Sequence, residues 1–265
     1  MTTVARHVLE RLARNTRLRR RLPQDFGQRP IWVSPDARLR FLKPGKNAFD
    51  LELLSIVKRF VRPGDTVLDI GSNVGELALA AAHVCGSGGG VLAVEADPFL
   101  ASLVQLTSFE KENADLNLDV LCAAASEVAG MSRFNLAERG RAANSLALSG
   151  STQMGGIRGT LWVPTLTVDA MVAAWQVPSM IKIDVEGAEI QVLRGAGDTL
   201  KTHRPIVMFE ASAAIPQIER LLQDLSYQIF DPSASGSLEP LASCIFNTLA
   251  IPTERLAEFR DGEGK

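Results

Sequence analysis

The run Val67-Leu68-Asp69-Ile70-Gly71-Ser72-Asn73-Val74-Gly75-Glu76, followed by Val91-Leu92-Ala93-Val94-Glu95-Ala96-Asp97-Pro98, constrains the fold more than any other feature of this chain. Thr66 to Ile70 is a short apolar run introduced by Pro63-Gly64-Asp65, and Leu77 to Val84 is rich in alanine and leucine with helical character. The order therefore reads strand, glycine turn, helix and a second strand ending in an acid. That arrangement sets a helix start beside a strand-end carboxylate and suits a ligand containing a nucleoside. Gly71 can adopt backbone geometry closed to residues with side chains, and Gly75 lets the first helical turn pack closely. The competing reading is an ordinary tight turn with Glu95 solvated at a strand end.

A dinucleotide fingerprint needs glycine at its first, third and sixth positions, but counting from Gly71 the chain places Asn73 and Glu76 at the latter two. Glu76 would add negative charge where a pyrophosphate sits, and the phosphate-binding lysine motif is absent as well. A nicotinamide-dependent oxidoreductase is disfavoured on both counts. Adenosine without phosphates fits better, which makes S-adenosylmethionine the expected cofactor. Its contacts are expected at Asp69, Gly71, Ser72, Asn73, Gly75 and Glu95. A carboxylate at Glu95 can accept hydrogen bonds from both ribose hydroxyls, each worth roughly 1.5 to 3 kcal/mol to a charged group.

The chain has 265 residues, of which 46% are hydrophobic, enough for a substantial core. No apolar run approaches a membrane span, and no apolar stretch follows the basic N-terminus as in a secretory signal, so a soluble cytoplasmic protein is expected. Cys85, Cys122 and Cys244 have no paired spacing, and His7, His83 and His203 are scattered; no metal site is expected. Residues 1–30 carry eight arginines against Glu10 and Asp25, which leaves the remainder acidic. That balance argues against a nucleic-acid enzyme with a basic face. Val4 to Arg21 has helical potential, read either as a helix docked on the domain or as a contact for a partner or an acidic surface.

The expected organisation is an appendage over residues 1–45 and a main domain over 46–265. Within the appendage, Ile31 to Ser34 and Leu39 to Leu42 look like a small hairpin turning at Pro35-Asp36. A helix from Asp50 to Val61 precedes the core. The core strands are then Val67–Ile70, Val91–Glu95 and Leu118–Cys122, with a helix from Pro98 to Asn113 between the last two. This alternation predicts a largely parallel sheet with helices on both faces. Residues 131–163 interrupt the rhythm: Met131–Leu136 and Gly159–Val163 can pair around the polar stretch Arg139–Arg158, which is either disordered or a substrate lid. Met180-Ile181-Lys182-Ile183 then forms a fourth strand that delivers Asp184 and Glu186 to the same rim as Gly71 and Glu95. A fifth, Pro205 to Phe209, ends in Glu210, and Tyr227–Phe230 with Cys244–Ile251 closes the sheet. Lys182, central in an apolar strand, is expected to pair with a neighbouring acid.

These residues resemble the FkbM family of S-adenosylmethionine-dependent methyltransferases. The likeness lies in Pro63-Gly64-Asp65 through Gly75, Val94-Glu95-Ala96-Asp97-Pro98, Ala124-Ala125-Ser126-Glu127 with Gly130, and Thr165-Leu166-Thr167-Val168-Asp169. Its most specific part is Ile181 to Glu189 with Val192-Leu193-Arg194-Gly195-Ala196, completed by Arg204-Pro205 and Phe209-Glu210. The resemblance implies a Rossmann-like class I methyltransferase fold, α/β, with seven strands, the last antiparallel and inserted beside the fifth. It implies cofactor contacts at the Gly71 loop, at Glu95 and Ala96, and near adenine at Ala124 and Ala125. It also implies O-methylation of hydroxyls on sugars or other small metabolites.

Methyl transfer from a sulfonium is an in-line displacement, so the protein chiefly supplies alignment. A hydroxyl acceptor must also lose a proton, for which Asp184 is the first candidate, followed by Glu186 and Glu210. Each has a structural alternative: Asp184 as a loop anchor, Glu186 on its own turn, Glu210 on strand-end amides. Asn144 and Ser145 in the polar loop are the candidate acceptor-binding residues, while Arg139 and Arg141 would suit an anionic acceptor. Transfer to nitrogen or to a protein, and a non-catalytic S-adenosylmethionine-binding module, are the alternatives kept beside this reading.

Overall fold

The structure, a computed structural model, describes residues 9–147 and 156–259. It opens with two short antiparallel strands, β1 (Leu18–Arg21) and β2 (Pro30–Val33), and the helix α1 (Leu51–Phe60). The central units follow: β3 (Thr66–Ile70), α2 (Glu76–Cys85), β4 (Gly90–Val94), α3 (Pro98–Ser108) and β5 (Leu118–Leu121). An inserted sheet comprises β6 (Ala124–Ala125), β7 (Gly130–Ala137), β8 (Ser145–Leu146) and β9 (Ile157–Leu166). The chain then resumes with α4 (Val168–Ala174), β10 (Met180–Ile183), α5 (Glu189–Arg194), α6 (Gly197–Thr202) and β11 (Ile206–Glu210). It closes with α7 (Ile215–Asp224), β12 (Tyr227–Phe230) and β13 (Asn247–Pro252).

The main sheet has seven strands in the order β12-β13-β11-β10-β3-β4-β5. Every pairing from β11 to β5 is parallel, and β13 lies antiparallel between β11 and β12. This is the class I, Rossmann-like arrangement, with the last strand inserted beside the fifth. All residues of β4 and β10 are buried, as expected for strands covered by helices on both faces. From β3 the chain winds one way to β4 and β5, then returns on the other side through β10 and β11. The reversal opens a crevice at the carboxyl ends of β3 and β10, where ligands of such sheets bind. Gly71 and Asp184 stand there, each directly following its strand.

Helix starts follow local chemistry. Asp50 caps α1 by accepting from Leu53 N, with Glu52 in the first turn and Lys58 and Arg59 in the last. Asp97 caps α3 through Phe99 N, with Pro98 in its first turn. The expected helix to Asn113 ends earlier, at Ser108, and a single 3-10 turn occupies Lys111–Asn113. No helix among the described residues is long and apolar enough to cross a membrane.

Two N-terminal expectations are corrected. The partner of β2 is β1, in register Leu18↔Val33 to Arg21↔Pro30, whereas Leu39–Leu42 is a 3-10 turn. The chain after Ser34 coils instead of reversing as a hairpin, because Ser34 O accepts from both Ala37 N and Arg38 N and Ser34 Oγ accepts from Asp36 N. The proposed helix over Val4–Arg21 accordingly stops short: residues 9–12 are helical, Asn15 has φ 56°, and Leu18–Arg21 is strand. Residues 4–8 of that proposal lie outside the described residues. The arginines of this segment meet acids of the domain itself, Arg19 and Arg21 bridging Glu110 and Glu112, and Arg29 bridging Asp115. Leu22, Phe26, Ile31 and Val33 join the same buried cluster as Leu77 and Leu103.

Met131–Leu136 does pair with the Gly159–Val163 region, as β7 with β9. The polar stretch between them contains a 3-10 turn at Arg141–Ala143 and the strand β8, paired to β7. Residues 148–155 of the proposed lid lie outside the described residues.

Candidate functional site

The glycine turn is fixed from both neighbouring strands. Gly71 N and Ser72 N donate to Val94 O at 2.9 and 3.1 Å, and Asn73 N donates to Glu95 Oε2 at 2.7 Å. Gly71 has φ 73°, and a Cβ there would lie 1.8 Å from Asp184 O. Gly75, at φ 79°, lies under Val104 at the start of α2. Bare backbone is therefore required at Gly71 because the β3 and β10 ends touch, not solely because a ligand must approach.

The register of β10 against β3 sets Lys182 beside Asp69. Lys182 Nζ donates to Gly71 O at 3.0 Å and lies 3.3 Å from Asp184 Oδ2 and 3.4 Å from Asp69 Oδ1. The expected pairing thus engages two acids and the glycine loop. Burial alone would depress the Lys182 pKa, but Asp184, Asp69 and Glu210 outweigh it and hold the ammonium above its ordinary value. Asp69 is fully buried beneath the turn and does not border the cavity above it.

That cavity is partly open, its space of about 550 Å³ running out into solvent, and its lining includes Gly71, Asn73, Glu95, Ala96, Ala124, Ala125, Asp184 and Glu186. Leu100, Phe134 and Leu146 join Ala123–Ala125 in an apolar slot of the kind a purine face packs against. Glu95 uses one oxygen on Asn73 N and the other on Asp97 N at 2.8 Å, which leaves lone pairs on each for hydroxyl donors. Ser72 Oγ and Asn73 Oδ1 are buried without a protein hydrogen bond. The small residues, the carboxylate and the unused Asn73 Oδ1 fit an adenosyl group, whereas Ser72 and Gly75, expected as contacts, do not border the cavity.

Burial pushes the Glu95 pKa up to about 8, Asp97 adds to the rise, and the two backbone N–H groups and Lys182 oppose it. Ribose hydroxyls donating to Glu95 would favour its ionised form, so such binding would release a proton below that pKa. Affinity for 5′-methylthioadenosine, which lacks the cofactor's amino-acid end and so its titratable ammonium, is expected to rise up to about tenfold per pH unit toward pH 8 and then level. Glu95→Gln should flatten the profile and weaken binding by roughly 1.5 to 3 kcal/mol. Calorimetric titration across pH checks both, and an unchanged profile in the variant would remove Glu95 from the site.

Glu76 does not face this cavity as expected. It is 5% exposed and accepts a hydrogen bond from Asp50 N, joining α2 to the start of α1. Its charge therefore has no bearing on phosphates at the turn, and the missing glycines alone carry that part of the argument.

The acidic rim divides three ways. Asp184 borders both the adenosyl-sized cavity and a second of about 630 Å³ lined by Glu210, Arg38 and Asn247. Glu186 borders the first cavity and a third, of about 960 Å³, lined by Arg38, Arg40, Gly140 and Ala143. Glu186 has φ 53° and accepts no hydrogen bond among the described residues. Burial and Asp184 raise its pKa to about 7. Burial likewise raises Glu210 to about 7, with Asp184 adding to it. The turn that Glu186 was considered to hold is held by Glu189, which accepts from Gly187 N at 2.8 Å and from Ser212. Glu189 had no assigned role in the sequence reading, although its place in an acid-rich motif made it visible.

Asn144 lines the adenosyl-sized cavity, yet its amide is engaged: Nδ2 donates to Asp97 Oδ2 and Oδ1 accepts from Ala137 N, both at 2.8 Å. Ser145 is buried at the start of β8 and does not line that cavity. Arg139 pairs with Glu10, and Arg141 is buried between Asp36 and Asp97. These loop residues therefore brace the cavity wall, and their charges are already matched within the chain. Arg38, which touches two of the three cavities, carried no signal in the sequence.

A parallel sheet with an inserted antiparallel strand, a glycine turn and a buried strand-end acid at the switch point define a class I S-adenosylmethionine-dependent methyltransferase domain. The Methyltransferase FkbM domain model matches residues 69–229, more than half of the chain, and the chain belongs to that family. Over 72 residues it is 38% identical to ribosomal RNA large subunit methyltransferase E of Sorangium cellulosum, a match spanning 26% of this chain and 34% of that protein. Among solved structures, methyltransferase FkbM from Methylobacillus flagellatus aligns at 14% identity and TM-score 0.45, covering 76% of this chain and 58% of that one. An S-adenosylmethionine-dependent O-methyltransferase from Thermotoga maritima aligns at 13% and 0.42, covering 76% and 64%. The chain thus spans about a third of that curated relative and less than two thirds of either structure.

Proposed function

We propose that this chain transfers the methyl group of S-adenosylmethionine to a hydroxyl of a small metabolite, a sugar or glycosylated compound. The observation that carries the reading is the junction at Glu186, where the adenosyl-sized cavity meets the 960 Å³ cavity. Glu95 and the apolar slot would hold the adenosyl group, and Asp184 and Glu186 would border its methyl-bearing end. An acceptor in the larger cavity then places its oxygen beside Glu186. Bound there, the cofactor supplies the electrophilic methyl; the chain aligns the two reactants and takes the hydroxyl proton.

Glu186 is better suited to the proton than Asp184, which ranked first on sequence. Asp184 Oδ2 is already engaged by Lys182 at 3.3 Å. Glu186 is unpaired among the described residues, and a pKa near 7 matches general-base work at neutral pH. Glu210, in the neighbouring cavity, adjusts the field at the rim. Glu186→Gln is expected to lower kcat by about 10² to 10⁴ with cofactor affinity little changed. An acceptor screen read by mass spectrometry tests the substrate class, with methylated hydroxyl compounds expected. Methylation confined to nitrogen of peptides would overturn it.

A further inference from the structure

Most basic groups around the methyl-transfer rim are already used. Lys182 is held by Asp69, Asp184 and Gly71 O, and Arg40 donates to Asp50 at 2.7 Å. Arg141 and Arg158 share Asp36, and Arg139 takes Glu10. Arg38 differs. Its guanidinium donates no hydrogen bond among the described residues; its nearest acid, Asp50, is 3.8 Å away and is engaged by Arg40 and Leu53 N. Its side chain is 34% exposed and lines both the cavity that opens at Glu186 and the one that opens at Asp184 and Glu210.

We propose that Arg38 is an anion-binding residue of this site, receiving a carboxylate or phosphate presented beside the Asp184–Glu186 rim. A planar guanidinium with five free donors matches such a group in a two-pronged contact. The surrounding acids repel an anion, so a site here needs a cation that they have not consumed. Two sources present this chemistry: the amino-acid end of the cofactor, extending from the adenosyl cavity, and an acidic group on the acceptor in the larger cavity. The inference rests on the reading of the Glu95 cavity as the adenosine site.

The test follows the Arg38 Nε–H signal by NMR in protein carrying ¹⁵N-labelled arginine, the signal being assigned by its loss in Arg38→Gln. A shift on adding S-adenosylhomocysteine but not 5′-methylthioadenosine identifies the cofactor's carboxylate. A shift only when glucuronate or inorganic phosphate is added to the S-adenosylhomocysteine complex identifies an acceptor anion. In either case Arg38→Gln weakens that ligand at least about tenfold, Arg38→Lys restores part of the loss, and 5′-methylthioadenosine affinity is unchanged. An Arg38 signal unmoved by all of these probes, in protein that binds 5′-methylthioadenosine, overturns the inference alone. Absence of any 5′-methylthioadenosine binding overturns the adenosine reading and this inference with it.

Discussion

Gly71→Ala is expected to weaken S-adenosylhomocysteine binding at least about a hundredfold, roughly 2.7 kcal/mol, and to lower the melting temperature as well. The new Cβ would stand 1.8 Å from Asp184 O, a separation no relaxation of one side chain can restore. The ends of β3 and β10 must move apart, carrying Asp184 and the Lys182 contact to Gly71 O with them. The positive φ adds about 1 to 2 kcal/mol of its own. Gly75→Ala is the comparison: its Cβ meets Val104 Cγ1 at 3.0 Å, a side chain able to yield. Calorimetry for stability and titration for affinity separate the two. Wild-type affinity in Gly71→Ala would show that the turn is not part of the site.

Arg141→Met should destabilise the fold by about 3 to 5 kcal/mol, the usual cost of stripping one partner from a buried ionic group. Arg141 is 8% exposed, and its guanidinium donates to Asp36 at 2.8 Å, to Asn15 at 2.8 Å and to Asp97, while stacking 4.6 Å over the Phe99 ring. Asp36 keeps Arg158, but Asp97 would retain only neutral donors, among them Asn144 and Phe99 N. Since Asp97 N also holds Glu95, cofactor affinity should fall with stability. Denaturant unfolding with and without S-adenosylhomocysteine measures both. A change under 1 kcal/mol would show the network to be interchangeable with apolar packing, as buried ion pairs sometimes are.

The sheet was readable because each strand carries its own evidence. β4 is an unbroken buried apolar run and β10 is interrupted only by Lys182, and Gly71, Glu95 and Asp184 each follow a strand directly, so placing the strands places them. Lys182 was legible for the same reason, since a lone cation inside such a run must find an acid. β1 was not. Its Leu-Arg-Arg-Arg sequence buries little, and the strand is fixed by Glu110 and Glu112, far away in sequence. The loop residues Arg141 and Asn144 were assigned to an acceptor because nothing near them in sequence reveals Asp36 and Asp97 as their partners. Arg38 left no trace at all: its significance lies in what the surrounding arginines have bonded to, which only three dimensions disclose.

Glu186 occupies left-handed backbone at φ 53°, with Gly187 next to it at φ 96°. Glycine would sit at 186 without strain, whereas a side chain there costs of order 1 kcal/mol. A chain selected for stability alone would therefore carry two consecutive glycines at this bend. The carboxylate stands where two of the cavities meet, so thermostabilising this protein by relaxing its backbone would begin by removing the proposed base.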